Sequence, residues 1–456
     1  MGSIKKNNSV HKSEVTGWGN YPTSTGEIFE STTVHQLREY ALTAKQITAR
    51  GNGKSYGDSS LGTHLLSCLG LNNLIDFDKT KRTINCESGV LLSQILELIV
   101  PLGYFLPVVP GTQFITIGGA VASDVHGKNH CTQRSFSKHV TEIKLLLANG
   151  ETIVCSRTVE SDLFWATCGG MGLTGFILQV TFRVVPIESV YIRTENIFCN
   201  SLSELFHAFR ENNSLEYKVA WLDILNLKNN SYHGIVSLAR HVLKDELVEA
   251  QKQSPLSLAL KKRSRVPFAF PTWFLQWWMV KIFNLVKWQL QLRGMNKATI
   301  PFPDFFFPLD SILDWNRLYG KNGFLQYQFV LPSLFAEEGT QKILNEVFAS
   351  SDKCLLAVIK QFGDCDENSL LSFPLKGFTV SLDFKRTDTL FALLDKLDEV
   401  VSKFGGRIYL AKDARMNLTT MEKGYPKLAV FQNVVKKFNP TKKFSSAQAE
   451  RIGYIK

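Results

Sequence analysis

Two glycine-rich stretches carry the residue types in this chain that can do chemistry on a ligand. The first, Gly111 to His130 (GTQFITIGGAVASDVHGKNH), pairs Gly118 with Gly119, follows them with small residues, and ends in Asp124, His126, Gly127 and Lys128. Small side chains let main-chain N–H groups approach an anionic or planar partner, which a larger Cβ substituent prevents. The second, Arg50 to Asp58 (RGNGKSYGD), sets Gly51, Gly53 and Gly57 beside Arg50 and Lys54, so that successive N–H donors and two cations can surround a pyrophosphate. Either stretch alone can equally be a tight turn beneath a core strand. His126 adds a ring whose unperturbed pKa suits accepting a hydroxyl proton or hydrogen-bonding a hydroxyl near neutral pH.

These loops need elements to hold them. A strand over Gln46–Ala49 leads into the second loop, and a strand-like run over Phe114–Ile117 leads into Gly118. The spacing fits neither a dinucleotide fingerprint of the Rossmann kind nor a Walker loop. Apolar periodicity predicts helices over Thr33–Ala44 and Leu91–Val100, the latter stopped by Pro101. Glu142–Leu147 and Thr152–Ser156, joined by Ala148-Asn149-Gly150-Glu151, predict a hairpin. Phe176–Val185 predicts an apolar strand that Pro186 ends. The composition then changes to a less glycine-rich series with a helix at Leu202–Arg210 and a strand at Tyr217–Leu225 carrying Trp221. Alternation in Gly323–Val330, Cys354–Gly363 and Gly377–Phe384 predicts strands with one wall toward a pocket, and Gly406–Arg415 returns the chain to the first domain. The expected division is 12–187, 188–406 and a C-terminal segment 407–456.

A chain of 456 residues, 44% hydrophobic and 20% charged, can bury full cores in two domains. Its formal charge of +11 asks for an anionic partner, which can be nucleic acid, a membrane surface or a phosphorylated substrate. No long Lys/Arg block and no nucleic-acid module is present, so no nucleic-acid partner is expected. The eight cysteines lack zinc-ligand or disulfide-framework spacing, so no metal site is expected. The first fifteen residues have lysines without a following apolar run, which predicts no signal peptide, and Lys6 stands where a myristoylation motif wants Ser or Thr. Pro267–Trp288 (PFAFPTWFLQWWMVKIFNLVKW), preceded by Lys261, Lys262, Arg263 and Arg265, is too interrupted for a membrane span. It reads either as an aromatic, basic element of a membrane interface or as an aromatic pair of core helices.

Taken together, RGNGKSYGD, GGAVASDVHGKNH, GGMGLTG within SDLFWATCGGMGLTG, FLQYQFV, LSFPLKGF and YLAKDAR run in order from residue 50 to residue 415. They resemble the vanillyl-alcohol-oxidase (PCMH-type) FAD flavoproteins, and within them the decaprenylphosphoryl-β-D-ribose 2'-oxidase group. The resemblance implies an α+β fold: a PCMH-type FAD-binding domain plus a substrate domain built on an antiparallel sheet with helices. It implies FAD contacts at Arg50, Gly51, Asn52, Gly53, Lys54, Ser55, Tyr56 and Gly57. Further contacts are implied at Gly111, Thr112, Thr116, Gly118, Gly119, Ala122, Ser123, His126, Gly127 and Asn129, and at Gly172, Gly175, Ile177 and Tyr409. Lys412 becomes the candidate for stabilising negative charge near flavin and sugar, with His126 and Tyr56 at the reacting face. Trp221, Gln326, Gln328, Lys360, Thr379 and Ser381 become pocket walls. Without the resemblance, Lys412 reads as an exposed strand-end lysine.

The same resemblance implies oxidation of the C2 hydroxyl of a polyprenylphosphoryl-β-D-ribose to the 2-keto sugar, the first half of an epimerisation to the arabinose form for cell-envelope polysaccharide. Implied partners are an NAD(P)H-dependent keto-reductase, a quinone-type electron acceptor and the membrane surface. The implied location is cytoplasmic synthesis with peripheral attachment to the inner face of the plasma membrane. Aldonolactone and alditol oxidases of the superfamily carry a flavin-linked histidine where this chain has Lys54, which implies noncovalent FAD. Ser381 stands where mycobacterial members carry an inhibitor-reactive cysteine, Thr379 replaces an asparagine, and Phe306 and Phe307 replace more polar residues. The rival readings are a soluble aldonolactone or alditol oxidase and a non-catalytic flavin-containing carrier of a lipid-linked sugar.

Overall fold

The computed structural model describes residues 9–212, 215–228, 231–258, 263–294 and 296–455. Strand-forming runs in the first 183 residues pair into two sheets. One has four strands in the order Ser9–Thr16, Thr23–Glu30, His64–Ser67, Thr48–Arg50. The other has five, Leu74–Asp78, Thr83–Glu87, Phe176–Arg183, Val140–Leu146 and Thr152–Ser156, all antiparallel. The expected hairpin is its last pair, with Leu146 opposite Thr152 and Gly150 turning the chain at φ +82°. The strand before the Arg50–Asp58 loop starts at Thr48 rather than Gln46. Ile47 is taken instead by the C-terminal segment, donating to the Lys443 carbonyl at 2.7 Å and accepting from the Ser445 N–H at 2.9 Å.

The run Phe114–Ile117 is not a strand. The carbonyls of Gln113 and Ile115 accept from the N–H groups of Ser93 and Leu92, satisfying the first turn of helix Leu92–Ile99, and Thr116 then caps a short helix, Ile117–Ala122. Local alternation favoured a ladder, but the backbone groups a ladder needs are spent on a helix end.

The second half is an eight-stranded antiparallel sheet in the order Lys297–Pro301, Tyr191–Cys199, Ser231–His241, Tyr217–Lys228, Cys354–Phe362, Gly377–Lys385, Phe324–Pro332, Arg407–Ile408. Its period of two sorts most of its central residues between two faces. Ala220, Leu222, Ala357, Ile359, Tyr327, Phe329, Val380 and Leu382 enter the core with helices Leu202–Glu211, Ala336–Ala349 and Leu390–Lys403. Their neighbours Val219, Trp221, Val358, Lys360, Gln326, Gln328 and Ser381 face a cavity. The molecule is α+β. Arg407 and Ile408 extend this sheet two residues past the expected boundary, because they pair with Val330 and Phe329, and the return to the first half begins at Tyr409, whose hydroxyl donates to the Ser123 carbonyl at 3.0 Å.

The aromatic segment resolves into a loop followed by helix Trp277–Arg293, of which only Asn284 and Trp288 are buried, so it is not a pair of core helices. Among the described residues no helix is long and apolar enough to cross a membrane. Lys261 and Lys262 lie outside the described residues.

Candidate active site

One cavity of about 1070 Å³ lies between the two halves and is lined by both glycine loops and the sheet wall. Its first side is a cradle in which side chains are excluded by contact. A Cβ at Gly51 would stand 2.4 Å from Thr116 Oγ1, and Gly53 holds φ +61° beside the Arg50 guanidinium. The N–H groups of Asn52 and Gly53 have no protein acceptor among the described residues, and the Ser88 hydroxyl and His126 Nδ1 are buried without a partner there. Donors left open in this way, backed by Arg50 and Lys54, fit the pyrophosphate and polar ring edge of FAD. Lys54 Nζ sits 3.5 Å above the Trp18 ring; burial draws its pKa down to about 8, with Asp310 and Asp314 opposing.

His126 is held by its neighbours. The Asp124 carboxylate accepts from Ser135 Oγ and the Ser137 N–H, both at 2.8 Å, and from Ser372 Oγ, which fixes the turn. The rings of Phe362, Phe373 and Tyr409 stand 4.9, 5.5 and 5.2 Å from the imidazole. Burial among them, with Lys360, His130 and Lys412 adding positive charge, puts its pKa well below the ordinary value. The hydrogen-bond network sets its tautomer. Thr379 Oγ1 donates to the Phe329 carbonyl (2.8 Å) and therefore accepts from Gln328 Nε2 (3.1 Å), whose second proton faces His126 Nε2 at 3.0 Å. With Nε2 accepting, the proton is on Nδ1, so His126 is a neutral donor. Of its two expected roles, accepting a hydroxyl proton or hydrogen-bonding a hydroxyl, this tautomer suits the second.

Lys412 ends a short turn, Leu410–Lys412, tied down by Gln448 Nε2 on the Leu410 carbonyl (2.7 Å) and by the Tyr56 N–H on the Ala411 carbonyl (3.0 Å). Its Nζ lies 3.5 Å over the Tyr56 ring. Burial draws it down to about 7, Asp383 opposing and Lys360 adding to the shift. Asp383 is itself pushed up to about 6 by burial, against the Gln326 amide that donates to Oδ1 at 2.6 Å and the Lys412 charge. Lys360 is lowered to about 8 by burial, and Lys128 to about 7 by burial and Lys360. Lys128 donates to the Phe305 carbonyl and lies 4.2 Å over that ring. Burial lowers five lysines that line the cavity, Lys54, Lys128, Lys287, Lys360 and Lys412, and the Lys360 charge adds to the shift of Lys128 and Lys412; a cavity lined by these cations suits anionic occupants.

Of the expected contact residues, all but three line this cavity. Gly57 lies behind it, packed so tightly on the Asp413 carbonyl that a Cβ would stand 1.6 Å away. Asn129 spends its amide on the Pro107 carbonyl (2.8 Å), and Thr379 supports Gln328 from the second layer. Sequence reasoning gave no site role to Lys128 and Lys287, although each stands inside a quoted segment, nor to Asp383 within the Gly377–Phe384 strand, nor to Trp18 and Asp310, which had no local signal. It also passed over Arg451, whose guanidinium joins Asp58 of the Arg50–Asp58 loop to Asp413 beside Lys412.

A family described as an FAD binding domain matches residues 27–156. The decaprenylphosphoryl-beta-D-ribose oxidase of Mycolicibacterium smegmatis is 33% identical over 448 residues, covering 96% of this chain and 96% of that protein. L-gulonolactone oxidase of Mus musculus is 23% identical over 446 residues, 93% of this chain and 94% of that protein. The same enzyme of Scyliorhinus torazame is 29% identical over 170 residues, 36% and 38% of the two chains. The mycobacterial likeness extends over the glycine cradle, the sheet wall and the Lys412 turn alike, and on that extent the chain is an FAD-dependent oxidoreductase belonging to the decaprenylphosphoryl-β-D-ribose oxidase family.

Proposed function

We propose that this enzyme oxidises the C2 hydroxyl of a ribose carried on a polyprenyl phosphate, giving the 2-keto sugar that a separate NAD(P)H-dependent reductase converts to the arabinose form for cell-envelope polysaccharide. The observation that carries the reading is the union, in one cavity, of the FAD cradle with a sheet wall that gathers Lys128, Lys360 and Lys412. Bound FAD supplies the hydride acceptor. Gln326 and Trp221 border the sugar, while Lys128 and Lys360 meet the phosphate. Lys412, with a pKa near neutrality, accepts the hydroxyl proton at Nζ and becomes the cation that balances the charge left in the cavity. His126 donates from Nδ1 and orients rather than deprotonates. Because Lys54 cannot form the histidyl link, FAD is held by the loops alone.

A polyprenyl tail stays in lipid, which supports synthesis in the cytoplasm, peripheral attachment to the inner face of the plasma membrane and electron delivery to a quinone-type acceptor. Anaerobic mixing of the yellow protein with polyprenylphosphoryl ribose tests the reading: loss of oxidised-flavin absorbance is expected. The near full-length similarity to L-gulonolactone oxidase supports one rival. Bleaching by a free aldonolactone but not by the phosphoribose would move the assignment to a soluble oxidase, and silence with every sugar would leave a carrier.

A further inference from the structure

Helix Trp277–Arg293 turns far more apolar surface outward than an ordinary surface helix. Its protein-facing side is mixed: Trp288 is buried against the rings of Phe198 and His233, and the residues beside it are polar. Asn284 donates to buried Asp223 Oδ1 at 2.9 Å, Lys287 lies 4.1 Å over the Trp221 ring, and Gln291 lines the cavity with them. Its outward residues are apolar. Ile282, Val286 and Leu290 recur every fourth position, hence on one stripe, and are 54%, 50% and 63% exposed. Trp273 and Phe268, at 71% and 61%, extend the apolar surface into the preceding loop. A patch of this kind marks a contact surface, and the charge around it says with what. Between Glu249 and Asp304 the sequence has nine Lys or Arg residues and no carboxylate. Lys252, Arg265 and Lys297 pair with Glu249, Asp314 and Glu195, while Lys281 and Arg293 stand on the helix itself; tryptophans and aliphatic side chains beside such cations match the headgroup region of an anionic bilayer.

We propose that the outward face of this helix, with Trp273 and Phe268, docks the enzyme on anionic lipid. The same helix lines the cavity through Val280, Asn284 and Lys287, so docking sets the cavity beside the bilayer. This second part rests on the reading of the substrate as a lipid-linked phosphosugar: the head reaches the lysines while the tail stays in the membrane.

The test is sedimentation of the holoenzyme with phosphatidylcholine vesicles, with and without phosphatidylglycerol, and tryptophan quenching by brominated lipid. Binding to the anionic vesicles with quenching is expected. The triple variant Ile282→Gln, Val286→Gln, Leu290→Gln should bind at least about tenfold more weakly, with unchanged FAD content and circular dichroism. A separate pair, Lys281→Gln with Arg293→Gln, should lower the preference for anionic lipid by about tenfold. In the triple variant, flavin reduction by a soluble short-chain phosphoribose should be unchanged while reduction by a vesicle-borne long-chain one falls. Absence of vesicle binding, equal binding by the triple variant, or a lipid-free oligomer that the triple variant dissolves would overturn the docking face. Vesicle binding as expected without flavin reduction by any phosphoribose would uphold docking and reject the substrate.

Discussion

Replacing Arg451 by methionine tests how the two motifs that meet at the cavity are held together. Its Nε and Nη2 donate to the two oxygens of Asp58, each at 2.8 Å, Nη2 also reaches Asp413 Oδ2 at 2.7 Å, and Nη1 donates to the Met416 carbonyl at 2.6 Å. One side chain of the last helix thus ties the end of the pyrophosphate loop to the residue after Lys412. The side chains of Asp58 and Asp413 are 4% and 2% exposed, so the variant strands two buried carboxylates. Removing one partner of a buried pair costs about 3–5 kcal/mol, and since the Arg451 side chain is 26% exposed, water entering its place puts the loss near the low end, about 3 kcal/mol. Urea unfolding of the holoprotein, followed by flavin fluorescence and circular dichroism, should show a lower midpoint. Adding Asp58→Asn should recover about 1 kcal/mol or more by neutralising one stranded charge. Acid sensitivity should shift as well. Burial pushes Asp413 up, but Arg451 and the N–H groups of Arg415 and Met416 outweigh it and hold its carboxyl below the ordinary range. That contribution is present above the unfolded value and is lost as pH falls through the folded value; without Arg451 the folded value rises and the loss begins at higher pH. Equal midpoints, equal acid stability and equal FAD affinity in wild type and Arg451→Met would refute the clamp.

Other outcomes follow from the same geometry. The rate of flavin reduction should rise with pH through about 7 or above, as Lys412 loses its proton, and Lys412→Met should be both slower by about 100-fold or more and flat over that range; a surviving pH limb in the variant would assign the proton to another group. Acid precipitation should release all FAD into the supernatant, whereas flavin retained in the pellet would contradict a noncovalent site at Lys54. Intact-mass measurement after turnover with a nitroaromatic inhibitor should show no adduct, because the Ser381 hydroxyl lacks an easily ionised thiol; an adduct at Ser381 would refute this.

What was legible in the sequence was local. The glycine loops, the Val140–Ser156 hairpin and the alternating strands that place Gln326, Gln328, Lys360 and Ser381 on one wall follow from residue size and a period of two, which neighbours along the chain express without help. The run before Gly118 misled for the opposite reason, since its backbone partners lie in a helix some twenty residues earlier. Protonation was illegible too: a histidine met in sequence carries its ordinary pKa, and only the surrounding rings, Lys360 and the Thr379–Gln328 relay make His126 a neutral donor. The direction of helix Trp277–Arg293 could not be read from its mixed composition, because which stripe faces protein depends on where Asp223 and Trp221 stand in the sheet. By itself the sequence determined which segments become strands, loops and flavin cradle; the tertiary structure decided which distant charges meet, as Arg451 meets Asp58, because burial and pairing are properties of the assembled volume rather than of the order of residues.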